Sequence, residues 1–209
     1  MGATWRTVSG EVVSTPITDK ARPALAVEYE SQGLLCYVKD LNYDAQGRPV
    51  VLHVTARSWE PGPKGDPREW RVAHWTGTAW DVRTIARADS NYDTGSLYVE
   101  GDGVWRVIGP TETGPQAYNP GGEMAMWVSR DEGVTWEKMA QLTSGSARNH
   151  TYARRPLNAN PGFYAFWADG DGRKPSESRL YFCDKAGAVY RLPETMEGEF
   201  ARPELVGKE

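Results

Sequence analysis

Three stretches of this chain repeat one plan at a spacing of about 55 residues, and that period constrains the fold more than any other feature. "LNYDAQGRPVVLHVT" from Leu41, "LYVEGDGVWRVIGPT" from Leu97 and "LNANPGFYAFWADG" from Leu157 each read as a strand, a polar turn and a more apolar strand. A second hairpin follows each of them: "WRVAHWTGTAWDVRTI" from Trp70, "MAMWVSRDEGVTWEKM" from Met124 and "RLYFCDKAGAVYRLP" from Arg179. Trp80, Trp136 and Tyr190 close these hairpins at equivalent places. No long segment carries helical periodicity, and 22 glycines and 14 prolines punctuate the short β-rich runs. Four strands repeated at this period predict an all-β chain, a β-propeller of four-stranded blades.

The arithmetic gives about three blades. Residues 33–88, 89–145 and 146–209 are each read as one blade, the last with a C-terminal tail. Residues 1–32 are read as the end of a broken blade and a linker, so the whole chain is one partial propeller domain. "GATWRTVSG" at Gly2 supports that reading, because it matches the second half of the motif described next and predicts "TWRTV" as the outer strand of a fourth blade. Propellers close with about four to eight blades. An arc of three exposes faces that a ring would bury, so self-association of the open arc is expected.

"SRDEGVTW", Ser129 to Trp136, fits the Asp-box pattern S-x-D-x-G-x-T-W at Ser129, Asp131, Gly133, Thr135 and Trp136. Its residues specify a self-stabilised turn between the third and fourth strands of a blade. An Asp131 carboxylate accepts backbone N–H groups within such a turn. Gly133 permits φ > 0, and the Trp136 ring packs between blades. The motif resembles the repeat of sialidase-like, or BNR-repeat, propellers, and its role is read as structural.

Composition narrows the functions. With 24 Lys and Arg against 28 Asp and Glu, the net charge of −4 argues against a broad nucleic-acid-binding surface. No apolar run is long enough to span a bilayer. Cys36 and Cys183 sit in strand-like contexts and are read as two buried thiols. "DGDG" from Asp169 is read as a turn, with a structural calcium as the alternative, since the remaining ligands of a calcium loop are missing. No other metal or cofactor is implied. "NHT" at Asn149 fits the short glycosylation pattern.

Chemistry is expected on the first strand of each blade, which lines a propeller's channel. "RNHTYARRP" is the richest. His150, Tyr152 and Arg154 are spaced by two, so an unbroken strand places all three on one face. Imidazole, phenol and guanidinium suit a lyase acting on a uronate-containing polysaccharide: a base, an acid and a cation for the enolate-like intermediate. Substrate-binding candidates are Arg148 and Arg155 beside that row, Asn91, Tyr92 and Asp93 in "NYDTGS", and Lys39 at the related place of the first blade. A glycosidase would more often use two carboxylates.

Beyond the Asp-box, "VKDLNYDAQGRPV", "NYDTGSLY", "GPQAYNPGGEMAMWVSRDEGVTW", "NHTYARRP" and "FYAFWADGDGRKPSESRLYF" resemble the BNR-repeat family often labelled putative neuraminidase. The resemblance implies a ring of about seven blades, export from the cytoplasm, and a carbohydrate substrate. Propellers similar to these include polysaccharide lyases in which a His or Tyr serves as base or acid and an Arg neutralises the uronate. Carried to this chain, those roles fall on His150, Tyr152 and Arg154. A sialidase-like or rhamnosidase-type hydrolase and a non-catalytic glycan-binding propeller are the alternatives, since a propeller does not fix function.

Overall fold

The structure, a computed structural model, describes residues 4–19 and 24–206. It is all-β apart from one 3₁₀ turn, with three antiparallel sheets in succession. The first sheet is β1 (Leu35–Tyr43), β2 (Pro49–Ala56), β3 (Arg68–Trp75) and β4 (Trp80–Ala88), each strand pairing with the next. The second is β5 (Ser96–Val99), β6 (Trp105–Glu112), β7 (Glu123–Ser129) and β8 (Glu137–Gln141), in the same order. The third runs β9 (Asn149–Arg154), β10 (Ala165–Gly170), β11 (Leu180–Cys183), β12 (Val189–Arg191) and β13 (Glu204–Val206). The added β13 comes from the tail and makes this sheet five-stranded. Each sheet therefore draws its strands from one sequence repeat.

Strand alternation explains how the sheets stack. In the middle sheet Leu97 pairs with Val107, and both face the first sheet, packing with Trp105 against Val50, Leu52, Val54, Trp70 and Val72. The intervening residues Tyr98, Ile108, Met124 and Met126 face the third sheet and meet Ala153, Ala165, Trp167, Cys183 and Val189. A sheet covered on both sides loses its polar face, which is why β6 is buried along nearly its whole length. Side chains such as Leu52, Ile108 and Met126 each contribute roughly 1.5–3 kcal/mol by that burial. Gly95 and Gly109 make room for Trp70 between the sheets: a Cβ on Gly95 would lie 2.8 Å from the Ile108 carbonyl oxygen and 3.1 Å from the Trp70 ring.

The Ser129–Trp136 segment joins β7 to β8 and binds itself. The Ser129 hydroxyl donates to Asp131 Oδ1 (2.7 Å) and accepts the Gly133 N–H (2.8 Å). Asp131 also accepts the Thr135 N–H (2.9 Å) and the Thr135 hydroxyl (2.6 Å), and these Thr135 donors hold its carboxyl below the usual range. Gly133 has φ 88°, and a Cβ there would come within 2.5 Å of the Trp105 ring. Trp136 donates to the Gly133 carbonyl (3.0 Å) and packs against the core between the first two sheets.

Several expectations fail on local geometry. The "TWRTV" segment joins none of the three sheets: Arg6 bridges Val12 in a small local hairpin turned at Gly10, and Trp5 is exposed. Gly2, the start of the half-motif, lies outside the described residues. Cys183 is buried but Cys36 is exposed, because it falls on the face of β1 that points away from the second sheet. Asn149 is buried and unavailable to a glycan, its amide donating to the Gln116, Pro120 and Gly121 carbonyls. The Asp169–Gly172 carboxylates serve the chain itself: Asp169 accepts from Arg179 N–H and Tyr181, and Asp171 from Arg173 N–H. Among the described residues no three His, Cys, Asp or Glu side chains gather as metal ligands, and no helix is long and apolar enough to cross a membrane.

Candidate functional site

The first strands of the three sheets stand side by side. Asp40 on β1 accepts the Leu97 N–H (2.7 Å), and the Asn42 amide donates to the Leu97 carbonyl (3.3 Å). On the other side, the Thr94 carbonyl accepts the Ala153 N–H (3.2 Å), and the Ser96 hydroxyl donates to the Ala153 carbonyl (2.8 Å). The segment 94–97 thus spans from β1 to β9.

Both flanking strands are bulged where they meet this segment. In β1 the register slips between Val38 and Asp40, so Lys39 opposes no partner on β2. In β9 Thr151 pairs with Ala168 and Arg154 with Phe166, so Tyr152 and Ala153 share the single residue Trp167. Tyr152 sits at φ 59° to make the step and is 54% exposed. A bulge re-aims the side chain it carries, and here it turns Lys39 and Tyr152 out of the alternation that packs the sheets.

The bulge also divides the predicted row. Beyond it the faces exchange, so His150 and Arg154 lie on opposite faces of the third sheet. His150 pairs with Asp169 and enters the interface with the second sheet, whereas Arg154 pairs with Phe166 on the far face, beside Phe182. Tyr152 and Arg154 stay together, the guanidinium 6.0 Å from the ring centre. His150 has both ring nitrogens engaged. Trp167 donates its indole N–H to Nδ1 (2.9 Å), which makes Nδ1 an acceptor and puts the proton on Nε2. Nε2 lies 3.0 Å from the Ser146 hydroxyl, which in turn donates to Glu123 (2.8 Å). Burial lowers the affinity of this imidazole for a second proton, against the pull of Glu123 and Asp169. The arrangement is that of a neutral histidine tying two sheets together.

Arg148 lines a cleft of about 650 Å³ with His150, Asp169, Arg179 and Tyr181, and lies 3.7 Å from Glu177. Arg155 is elsewhere, its guanidinium 5.9 Å from the Tyr98 ring in a hollow shared with Glu100 and Lys185. The two arginines that flank the row in sequence therefore belong to different surfaces.

Lys39, Asn91, Tyr92 and Asp93 do come together. Lys39 Nζ donates to the Asn91 carbonyl (2.5 Å) and stands 5.5 Å from the centre of the Tyr37 ring. Burial pulls its ammonium down to about 8, with the Asp93 carboxyl acting the other way. Asp93 is wholly buried. Its Oδ1 accepts the Gly121 N–H (2.8 Å), and Oδ2 has no partner among the described residues. Desolvation pushes that carboxyl well above the ordinary range, toward the neutral acid. Asn91 accepts from the buried Arg68 (2.7 Å) and donates to the Ser58 carbonyl (2.9 Å) and to Tyr37 (3.3 Å). Tyr92 points outward, 55% exposed, edge-on to Tyr37 at 5.9 Å. Sequence reasoning missed Tyr37 and Arg68. Their only signal was position, one two residues before Lys39 and the other opening the third strand.

No family model matches the chain, and no curated protein matches it. Among solved structures, the fold is similar to that of a polysaccharide lyase described as a PL25 ulvan lyase from a new family, with a TM-score of 0.65 and 18% identity over 87% of this chain. A second structure of that lyase, bound to -[GlcA(1-4)Rha3S]-, matches equally. This chain spans 40% of the neighbour's length. At that identity the likeness establishes the fold.

Proposed function

We propose that the three sheets are blades of a propeller and that the surface formed by their first strands binds a uronate-containing polysaccharide for lyase-type cleavage. The pair of bulges carries this reading: it takes a cation, Lys39, and a phenol, Tyr152, out of the regular strand pairing of β1 and β9, the two inner strands on either side of β5. Lys39 and Arg154 supply positive charge for a uronate carboxylate, Tyr152 supplies a hydroxyl able to move a proton, and Tyr92 offers an exposed ring between them. The likeness to a lyase with an acidic disaccharide bound supports the substrate class. His150 is left out of this proposal, since both of its ring nitrogens are engaged, one by Trp167 and the other by Ser146.

That same engagement favours a second reading, glycan binding without cleavage, because it removes the imidazole base from the predicted set. One experiment addresses both. The purified chain is run by affinity electrophoresis in gels containing ulvan, and incubated with ulvan while the ultraviolet absorbance of unsaturated uronate is followed. Retardation with rising absorbance supports the lyase, and retardation alone supports binding. Migration unaffected by the polymer overturns the proposal.

A further inference from the structure

Beside Lys39 the structure holds a groove of about 270 Å³ whose walls include Trp59, Tyr92 and Tyr118. These rings come from three distant places: the β2–β3 loop, the segment before β5 and the β6–β7 loop. Trp59 is 66% exposed and has no ring partner among the described residues. An indole left facing water at the mouth of a groove is unusual for a residue of its apolar area.

The groove is stiff. Arg68, 1% exposed, lies beneath it and donates to Asn91 (2.7 Å), to the Gly62 and Glu60 carbonyls (3.0 and 2.8 Å) and to Asp66 (2.7 Å). One guanidinium thereby fixes the Trp59-bearing loop to the segment that carries Tyr92. Tyr118 covers Arg68, its ring centre 5.7 Å from the guanidinium. The Tyr118 backbone is held at φ 61°, with its N–H on Asp89 (3.2 Å). A non-glycine residue kept in that region implies that the surroundings dictate the position of its ring.

We infer that this groove is a stacking subsite for an uncharged sugar ring of the chain whose uronate is met by Lys39, an inference that rests on the proposed polysaccharide reading. Three observations select that occupant. Rings on more than one wall offer flat apolar surfaces to a pyranose face. The guanidinium under the groove spends four of its five N–H donors within the chain and is paired with Asp66, and Glu60 at the rim is paired with Lys64 (3.6 Å), so among the described residues no uncompensated positive charge awaits a uronate here. Asn119, at the edge, spends its amide on the Ala117 carbonyl, and its Oδ1 accepts no hydrogen bond among the described residues, leaving it for a sugar hydroxyl. The groove is continuous with the Lys39 site through Asn91, which accepts the lysine on its carbonyl, and through Tyr92, which packs on Tyr37. The two sites therefore suit an alternating polymer, acid on one side and neutral sugar on the other.

The test titrates a desulfated tetrasaccharide of alternating glucuronate and rhamnose, in which every second ring is uncharged, into the full chain by calorimetry, alongside Trp59→Ala, Trp59→Phe and Lys39→Met. Trp59→Ala should weaken binding roughly five- to tenfold, the effect of losing an aromatic contact, and Trp59→Phe should recover most of it. The exposed position of Trp59 leaves folding intact, to be checked by circular dichroism. Trp59→Ala binding as tightly as wild type, with Lys39→Met weakened, overturns the subsite while leaving the polysaccharide reading in place. A wild-type chain that binds no tetrasaccharide overturns both.

Discussion

The role of His150 is open to a decisive substitution. His150→Ala removes a buried ring from between the second and third sheets and takes away the acceptor for the Trp167 indole N–H. Truncating a buried ring to Ala costs about 2–5 kcal/mol through lost contacts and the cavity left behind. An orphaned buried donor adds about 1–3 kcal/mol. Two features temper the sum. Ser146, the other partner, is half-buried and borders the Arg148 cleft, so water can replace the imidazole on its hydroxyl. Trp167 is 1% exposed and has no such recourse. The expected loss is therefore about 3–5 kcal/mol, a large part of the roughly 5–15 kcal/mol that holds a domain together. Urea unfolding followed by tryptophan fluorescence measures it as a fall in the midpoint. His150→Gln, which keeps a polar side chain of similar reach, should lose less. A His150→Ala chain within about 1 kcal/mol of wild type that has nonetheless lost activity toward the uronate polymer would refute the argument, because it would place the imidazole in the chemistry.

Other consequences follow from the same geometry. Gly133→Ala combines a left-handed backbone with a Cβ 2.5 Å from the Trp105 ring, and thermal or urea unfolding should show a loss of about 2–4 kcal/mol; an unchanged midpoint would mean that the turn is not seated on Trp105. Burial pulls His53 down to about 4 and lowers His150 as well, while an unfolded histidine titrates near 6.5. The unfolded chain therefore takes up protons first, so this part of the stability is complete above about 6.5 and is lost as pH falls toward about 4, visible as a declining denaturation midpoint. Lys39 loses its proton as pH rises through about 8, so binding of a uronate oligosaccharide should weaken across that range, and Lys39→Arg should abolish the dependence; a flat wild-type profile would exclude the lysine from the contact. Phe163 and Phe166 stack on the far face of the third sheet, with Phe182 tilted against Phe163 and Phe166 40% exposed, and sedimentation should show concentration-dependent association that Phe166→Lys reduces.

What the sequence determined by itself is what neighbouring residues decide among themselves. Alternation of apolar and polar side chains set the strands, and the repeat of two hairpins set the grouping of β1–β4, β5–β8 and β9–β12 into sheets. The Ser129–Trp136 turn was legible because nearly all of its hydrogen bonds close within eight residues. Lys39, Asn91 and Asp93 were reachable as candidates because they stand at related places in successive repeats. Tertiary structure decided the rest, for a physical reason: it depends on partners distant in the chain. A single extra residue opposite Trp167 reverses every face beyond it, and nothing between Asn149 and Arg154 announces that step. Only the fold brings Trp167 and Ser146 to the two nitrogens of His150, and so engages a ring that the strand spacing by itself leaves free. Desolvation lowers Lys39 and raises Asp93 for the same reason, since burial belongs to the packed sheets and not to the residue. The aromatic groove joins residues 59, 92 and 118, which no local pattern connects and which Arg68 assembles through carbonyls and an amide from two loops.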